Sequence, residues 1–223
     1  PIAIEIGSFS SKTPDGPWPD GWKPLTFPKI PQHTTYRLVK DGDRVAVKAT
    51  SQAASSGLTK EVLIDPKDYP IIQWQWKVSN ILKAGDVAKK EGDDYPARIY
   101  VTFQYDSRKV GLFGKAKYEA AKLIYGQYPP LGAINYIWES RAPVGTVVPN
   151  PFTDQVQMIV VESGSSRLDT WITEERNVYE DYKRAFGQEP PMTSGVAIMT
   201  DTDNTGESAE AYYGDIVFKK RPE

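Results

Sequence analysis

The sequence predicts a mainly β protein, an antiparallel two-sheet β-sandwich or jelly roll with two short helices in its loops. Three observations favour this fold. Many short segments alternate apolar and polar residues, which is the pattern of strands with one buried face. Turn-forming Gly, Pro, Asn and Asp residues separate these segments at the spacing of about eight to twelve residues that is typical of sandwiches. No linker or repeat interrupts the 223 residues, so we expect one domain over 1–223.

Alternating segments occur along the whole chain. They predict strands at 2–6, 35–40, 44–50, 57–64, 71–78, 97–105, 134–139, 155–162, 196–200 and 211–218. Asp41-Gly42-Asp43 separates two of these strands and predicts a tight hairpin, because glycine adopts the left-handed turn conformation at little cost. Helical spacing that ends at a glycine predicts helices at 112–125 and 177–186.

The segment 71–78, IIQWQWKV, is the most informative strand. Side chains alternate between the two faces of a strand, so Trp74 and Trp76 share one face. Gln73 and Gln75 share the other. Two tryptophans bury a large apolar area, and we therefore expect their face in the core. The other residues expected in this core are Val101, Phe103, Tyr136 and Trp138.

The segment 97–105 also carries polar and aromatic side chains on one face. If this strand neighbours 71–78, the two strands form one polar sheet face. Aromatic rings stack on the C–H faces of sugars while amide and guanidinium groups bind hydroxyls, so this face is the candidate groove for a saccharide or similar polar ligand. The predicted ligand-binding residues are Gln73, Gln75, Arg98, Tyr100 and Thr102, with the loops 91–96 and 201–207 at the rim.

Composition limits the partners and the chemistry. The 27 Lys and Arg residues nearly balance the 29 Asp and Glu residues, and the net charge of -2 predicts no binding to nucleic acid. No apolar run approaches the roughly 20 residues of a membrane span, so we expect no membrane insertion. The absence of cysteine removes disulfides, thiol nucleophiles and thiolate metal sites. The single histidine, His33, lies outside any signature of a Ser-His-Asp enzyme.

The acidic turn 201–207, DTDNTGE, predicts either a calcium site or an ordinary hydrogen-bonded turn. Carboxylate and amide oxygens before a glycine suit a hard cation, but the same residues stabilise turns by bonding their own backbone. The turn matches the first half of a helix-loop-helix calcium loop, although Tyr212 stands where the bidentate glutamate belongs. The predicted calcium ligands are Asp201, Asp203, Asn204 and Asp215, with Asp94 as a further candidate.

Other acidic residues allow a carbohydrate-active hydrolase or lyase. Paired carboxylates act as acid and base when their environments separate their pKa values. The candidate catalytic residues are then Asp93, Asp94 and Glu139, with Asp201, Glu162, Glu174 and Glu175 as further acids. The spacing identifies no pair, and one histidine limits proton transfer, so a non-catalytic binding module is favoured. A structural or protein-interaction domain is the third hypothesis.

Several motifs resemble one bacterial family over nearly the whole chain. They are Ala54-Ser55-Ser56-Gly57-Leu58, Trp74-x-Trp76-Lys77-Val78, GDDYPAR at 92–98, Tyr136-x-Trp138, Trp171-x-x-Glu174-x-Arg176-Asn177-Val178, Asp181-Tyr182-x-x-x-Phe186-Gly187 and MTDTDNTG…AYYGDI at 199–216. In this order they resemble the family called domain of unknown function 3047. The resemblance implies an exported protein of a Gram-negative bacterium, periplasmic or extracellular, and it supplies no catalytic residues. The start at Pro1, directly before a strand-like segment, is also what we expect of a processed secretory precursor.

Overall fold

A computed structural model describes residues 1–104 and 132–222, which form two packed β-sheets. In chain order the strands of this described part are β1 (Ala3–Gly7), β2 (Lys23–Leu25), β3 (Thr35–Asp41), β4 (Arg44–Gln52), β5 (Ser55–Glu61), β6 (Ile71–Val78), β7 (Arg98–Phe103), β8 (Ala133–Glu139), β9 (Val147–Asn150), β10 (Thr153–Ser163), β11 (Ile172–Asn177), β12 (Thr193–Asp201) and β13 (Ser208–Lys219). The six-stranded sheet has the order β11-β6-β13-β4-β3, with β1 paired to β13. The seven-stranded sheet has the order β2-β5-β12-β7-β8-β10-β9.

The core lies between the sheets, where the alternation of the strands places it. Trp74 and Trp76 are fully buried on the inner face of β6, and they pack against Tyr136 and Trp138 on the inner face of β8. The ring centroids of Trp74 and Tyr136 are 5.3 Å apart, and those of Trp76 and Trp138 are 5.9 Å apart. The prediction of a two-sheet sandwich with these residues in its core is confirmed. Val101 and Phe103 are buried in the same cluster.

The prediction that the sandwich is antiparallel is wrong at one pair of strands. β8 and β10 run parallel, with Ala133 opposite Val156 and Tyr136 opposite Ile159. The short strand β9 lies in the connection between them and pairs antiparallel with β10. The chain therefore reverses direction twice before β10 begins, which leaves β10 parallel to β8.

One of the two predicted helices lies in the described part of the chain. This helix, α1 (Val178–Phe186), begins after Asn177, whose side chain accepts a hydrogen bond from the Glu180 N–H, and ends at Gly187 with φ 70°. The other predicted helix, 112–125, lies outside the described residues. Two single-turn 3₁₀ helices occur at Phe9–Ser11 and Lys90–Gly92. Within 1–104 and 132–222, no helix combines the length and the apolarity needed to cross a bilayer.

Strand β13 changes neighbours half-way along its length. Its first half pairs with β4 as far as Tyr213 opposite Val47, whereas its second half pairs with β1 from Ile216 opposite Gly7. The pairing of β13 with β6 also shifts its register, between Tyr213 and Ile216 of β13. Both Gly214 and Asp215 fall in this irregular step, which has the form of a β-bulge. The step opens the outer surface of the six-stranded sheet between the ends of β4 and β1.

Candidate functional site

The predicted polar face does not exist as one surface. It required β6 and β7 to be neighbours, but β6 pairs with β11 and β13, whereas β7 pairs with β12 and β8. The chain crosses from one sheet to the other between β6 and β7, so their outer faces lie on opposite sides of the sandwich. Gln73 and Gln75 therefore lie on one outer face, and Arg98, Tyr100 and Thr102 on the other.

Gln75 lines a cavity of about 580 Å³ on the outer face of the six-stranded sheet. The cavity lies where β13 changes neighbours, between the β3–β4 hairpin and the segment that follows β1. We call it the Trp171 cavity. Its lining residues are Ser10, Asp41, Gly42, Asp43, Arg44, Val45, Gln75, Trp171, Gly214 and Asp215. Gln73 lies further along β6 and accepts a 2.7 Å hydrogen bond from Lys219.

Arg44 is held in the wall of the cavity by two contacts. Its guanidinium lies 4.5 Å from the centroid of the Trp171 ring, and its Nη1 donates a 2.7 Å hydrogen bond to Oε1 of Gln75. Gly214 leaves room for this arrangement, because a Cβ there would lie 2.9 Å from the Gln75 Cβ and 3.4 Å from Cζ3 of Trp171. A cation, an aromatic ring and an amide therefore meet in a fixed geometry at the bulge.

Asp41 holds the N–H edge of the Trp171 indole ring. Its Oδ2 accepts a 2.7 Å hydrogen bond from the indole Nε1 of Trp171 and forms a 2.5 Å ion pair with Lys77. The hydrogen bond from Lys77 lowers the pKa of Asp41 below its usual value, and that from Trp171 acts in the same direction. Asp41 is thus held as an anion, which accepts hydrogen bonds but does not serve as a proton donor near neutral pH.

The outer face continues from the Trp171 cavity as a row of alternating rings and cations. Lys77 lies 4.3 Å from the centroid of Tyr212, and Lys48 lies 5.8 Å from the same ring. Tyr212 pairs with Lys77 on one side and with Lys48 on the other, because β13 lies between β6 and β4. Trp171 and Tyr212 form an edge-to-face pair at 6.3 Å. These cation–π contacts fix the lysine side chains and the rings relative to each other on a half-exposed surface.

Asp215 is not where the calcium prediction placed it. Its carboxylate accepts hydrogen bonds from the backbone N–H of Ser10 at 2.8 Å and from the Ser10 hydroxyl at 2.5 Å, and it lines the Trp171 cavity. Asp201 lies at the end of β12, on the outer face of the other sheet. The interior of the sandwich separates the two side chains, so Asp215 cannot share a cation with Asp201.

The loops 91–96 and 201–207, which the sequence predicts as the rim of the candidate groove, contact each other directly. The backbone N–H of Thr205 donates a 2.6 Å hydrogen bond to Oδ2 of Asp94. The side-chain amide of Asn204 donates to Oδ1 of Asp94 at 3.3 Å and to the backbone carbonyl of Asp93 at 3.1 Å. Asp94 is 1% exposed, so the meeting point of the two loops is closed rather than an open cleft.

A buried ion pair lies beneath this meeting point. Nη2 of Arg98 donates a 2.5 Å hydrogen bond to Oδ2 of Asp201, and Nη1 of Arg98 lies 3.6 Å from Oδ1 of Asp93. Burial raises the pKa of Asp201 well above its usual value and raises that of Asp93 as well, although Arg98 opposes both shifts. Burial and the neighbouring Asp94 raise the pKa of Asp203 to about 6.

The remaining residues of the predicted sites are engaged in packing or structural hydrogen bonds. Glu139, 1% exposed, accepts hydrogen bonds from the backbone N–H groups of Val87, Arg141 and Ala142. The Asn150 side chain bonds both carboxylate oxygens of Asp93 at 3.1 and 3.2 Å. Glu139 and Asp93 are thus each held by different groups, and they do not form an interacting pair. The Thr102 hydroxyl bonds that of Ser194 at 2.8 Å, and Tyr100 packs on the apolar cluster outside the seven-stranded sheet.

Sequence reasoning missed most of the Trp171 cavity. Trp171 immediately precedes β11, Asp41 ends β3 and Arg44 begins β4, so each lies at a strand end where alternation is least informative. Asp41 and Trp171 are 130 positions apart in the chain. The position of Arg44 directly after an Asp-Gly hairpin was the available signal, since that turn fixes where the side chain emerges.

Similar solved structures are β-sandwich domains with low sequence identity. The carbohydrate recognition domain of Emp47p matches at 12% identity and a TM-score of 0.47, covering 99% of this chain and 96% of that one. A xylan-binding module, CBM15, matches at 12% identity and 0.38, covering 100% and 98%. Endoglucanase 3 of Trichoderma harzianum, from family GH12, matches at 7% identity and 0.44, covering 99% and 96%. Such identities and TM-scores assign neither a ligand nor an activity to this chain.

Comparison with models of protein families gives a clearer result than comparison with solved structures. A search of curated protein sequences finds no significant match to this chain. The model of one family, described as protein of unknown function DUF3047, matches residues 20–217 and so covers nearly all of the two sheets and their connections. The resemblance that the sequence motifs indicate is thereby confirmed: the chain belongs to the DUF3047 family.

Proposed function

We propose that this protein is an exported, non-catalytic binding protein for a saccharide or similar polar ligand, and that the ligand occupies the Trp171 cavity. The observation that carries the proposal is the combination of one aromatic ring with an amide, a guanidinium and carboxylates around a single cavity of about 580 Å³. Small-molecule sites have volumes of roughly 300 to 1,000 Å³ and combine aromatic side chains with a few placed polar groups.

The polar groups of the cavity offer both donors and acceptors. Asp215 and Asp41 accept hydrogen bonds, Arg44 donates them, and the amide of Gln75 does both. Sugar hydroxyls also donate and accept, so they can pair with all of these groups. The groups are held in place beforehand by Ser10, Lys77 and Trp171, and this order reduces the entropy that binding would otherwise cost.

Two observations favour binding over hydrolysis. Asp41 is held as an anion by Lys77, so it is a poor general acid beside any ligand in the cavity. The three acids first predicted for catalysis, Asp93, Asp94 and Glu139, lie on the other side of the sandwich, where Glu139 accepts hydrogen bonds from three backbone N–H groups. A hydrolase or lyase is therefore the second candidate, and it would use Asp93 or Asp94.

The test begins with a glycan array, followed by calorimetric titration of each glycan that binds. We expect saturable binding without release of new reducing ends. Arg44→Ala and Trp171→Ala should each weaken binding by about tenfold or more, corresponding to roughly 1.4 kcal/mol or more. Gln75→Glu should also weaken the binding of a neutral glycan, because it removes the amide donor.

The matched control is Phe152→Ala, which removes another partly exposed aromatic ring at the start of the β9–β10 turn. Its affinity should equal that of the parent protein, and thermal melting should show that all variants are folded. Binding that survives Arg44→Ala and Trp171→Ala would contradict the assignment of the cavity. Turnover that Asp93→Ala or Asp94→Ala abolishes would instead favour the enzyme.

A further inference from the structure

A second cluster of polar groups lies on the opposite side of the molecule from the Trp171 cavity. It forms where the loops 91–96 and 201–207 meet, and its carboxylates belong to Asp94, Asp201 and Asp203. One oxygen atom from each of these three residues lies within 4.8 Å of the corresponding oxygens of the other two. All three donors are carboxylate oxygens, which are the ligands that hard divalent cations select.

A second observation at the cluster points to a bound cation. The Asp201 side chain is 2% exposed, and its Oδ2 is occupied by Arg98. Its Oδ1 is completely buried and has no hydrogen-bond partner. Buried carboxylate oxygens are otherwise paired, because an unpartnered one loses its hydration without compensation. A cation shared with Asp94 and Asp203 would supply the missing partner.

The charges of the site point in the same direction. Asp93 and Asp201 both pair with the guanidinium of Arg98, and Asp94 and Asp203 lie beside Asp201. Asp93 and Arg98 are both more than nine-tenths buried. With all four carboxylates ionised, the cluster would carry more negative charge than Arg98 can balance in a region of low dielectric constant. A divalent cation would neutralise most of that excess, which water or a hydrogen-bonded turn cannot do.

The two loops also hold the ligands in place without the cation. Asp94 is fixed through both oxygens by Thr205 and Asn204, so the two loops are already joined by hydrogen bonds. Asp201 lies at the last residue of β12, and Asp203 follows two positions later in the turn to β13. Ligands from a strand end and from two connections give a site whose geometry depends on the folded state.

We propose that Asp94, Asp201 and Asp203 bind one calcium ion, which joins the loop before β7 to the turn between β12 and β13. The ligand set keeps Asp201, Asp203 and the further candidate Asp94 of the sequence prediction. It leaves out Asp215 and also Asn204, whose amide donates to Asp94. The site is independent of the Trp171 cavity, so it stands or falls apart from the saccharide proposal. Its role is to stabilise the fold, since Asp94 and Asp201 are buried and the two loops that carry the ligands close against each other.

The experiment is a thermal melt and a calorimetric titration with calcium chloride after chelation. Binding to the folded state alone should raise Tm by about 5 °C or more at a calcium concentration 100-fold above Kd. Asp203→Asn, an isosteric change at the half-exposed member of the set, should weaken calcium binding at least tenfold and remove the shift. It spares the buried pair of Arg98 and Asp201, so the variant should fold.

Asp215→Asn is the matched control, because it changes an acidic residue that the sequence also predicts as a ligand. It should show the parent protein's calcium shift and affinity. The proposal is overturned if millimolar calcium moves the Tm of the parent protein by less than the error, or if Asp203→Asn keeps the full shift. It is also overturned if Asp215→Asn loses the shift while Asp203→Asn retains it.

Discussion

At the scale of single residues, Glu174 shows how a carboxyl group can join the two sheets. It lies on β11, accepts a 3.2 Å hydrogen bond from Nε1 of Trp76, and approaches Glu162 near the end of β10. Burial and then the nearby Glu162 raise the pKa of Glu174 to about 8. Near neutral pH, Glu174 is therefore largely protonated, and it avoids repulsion from the carboxylate that Arg167 holds at 2.7 Å.

This raised pKa predicts that stability falls as the pH rises. Between the ordinary pKa of 4.5 and about 8, the folded protein binds more protons at Glu174 than the unfolded chain does. The free energy of unfolding must then decrease across that window. Glu174→Gln should remove the decrease, since its amide can accept from Trp76 and donate to Glu162 without a charge.

The measurement is urea unfolding of both proteins at pH 5 and pH 8. Because Glu174 is partly exposed, we expect a gain of only about 1 kcal/mol for Glu174→Gln at pH 8, and almost none at pH 5. Glu175→Gln is the control, because Glu175 is exposed and pairs with Lys219 on the outer face. A pH dependence that Glu174→Gln leaves unchanged would contradict this reading of the pair.

At the scale of elements, the alternation of side chains predicts the faces of strands well but not their neighbours. It places the tryptophans of β6 in the core, and the Asp-Gly signal finds the β3–β4 hairpin, where Gly42 has φ 60°. These features depend on residues close in sequence. The pairing of β6 with β11 and β13 depends on residues about a hundred or more positions away, and no local pattern encodes it.

Bulges are a second reason why local patterns fail. Strict alternation from Ala211 and Tyr213 would direct Asp215 into the core. The irregular step at Gly214 turns it outward instead, towards Ser10. The Trp171 cavity depends on this step, so the site was the part of the molecule that alternation predicted least well. The sequence predicts the loops 91–96 and 201–207 as one rim, but their contact joins Asp94 to Thr205 across 111 positions, and no local pattern predicts it.

A glycine on a strand and a glycine in a hairpin turn predict different responses to alanine. Gly57 on β5 faces Met199 on β12, and a Cβ there would lie 2.7 Å from the carbonyl oxygen of Ile198. That contact is with backbone, so β5 and β12 must separate, at a cost of about 1 to 3 kcal/mol. Gly42 has no atom within 4 Å of such a Cβ, and its substitution is opposed only by its positive φ.

Urea unfolding of four variants separates these causes. Gly57→Ala and Gly57→Asn should both destabilise the protein. Gly42→Ala should cost about 1 kcal/mol, whereas Gly42→Asn should cost less, since asparagine visits the left-handed region more readily. Equal stability of Gly57→Ala and the parent protein would show that the two strands can adjust around a methyl group.

At the scale of the whole molecule, a layer of aromatic rings joins the two sheets. Trp74 and Trp76 from β6 pack against Tyr136 and Trp138 from β8, and the two tryptophans of β6 also meet edge to face at 5.3 Å. The hydroxyl of Tyr136 donates a 2.8 Å hydrogen bond to Asp181 on α1. The layer thus contacts both sheets and the helix. One of its indole N–H groups has a hydrogen-bond partner, whereas another has none.

This difference predicts an asymmetry between two otherwise similar substitutions. The indole N–H of Trp138 donates a 3.0 Å hydrogen bond to the carbonyl of Gly164, whereas that of Trp74 is buried with no partner. Trp138→Phe loses ring volume and leaves the carbonyl without its donor. Trp74→Phe loses the same volume but also removes an unsatisfied donor, whose burial costs about 1 to 3 kcal/mol.

We therefore expect Trp74→Phe to destabilise the protein less than Trp138→Phe, by about 1 kcal/mol. The prediction is made for the difference, because the cavity left by each ring adds a similar cost to both variants. Urea unfolding followed by far-ultraviolet circular dichroism is the suitable measurement, since removing a tryptophan alters the fluorescence signal itself. If Trp74→Phe proves as costly as Trp138→Phe or more so, packing in this layer contributes more to stability than hydrogen bonding does. The unpartnered N–H of Trp74 is then tolerated because a smaller ring would lose contact between the sheets.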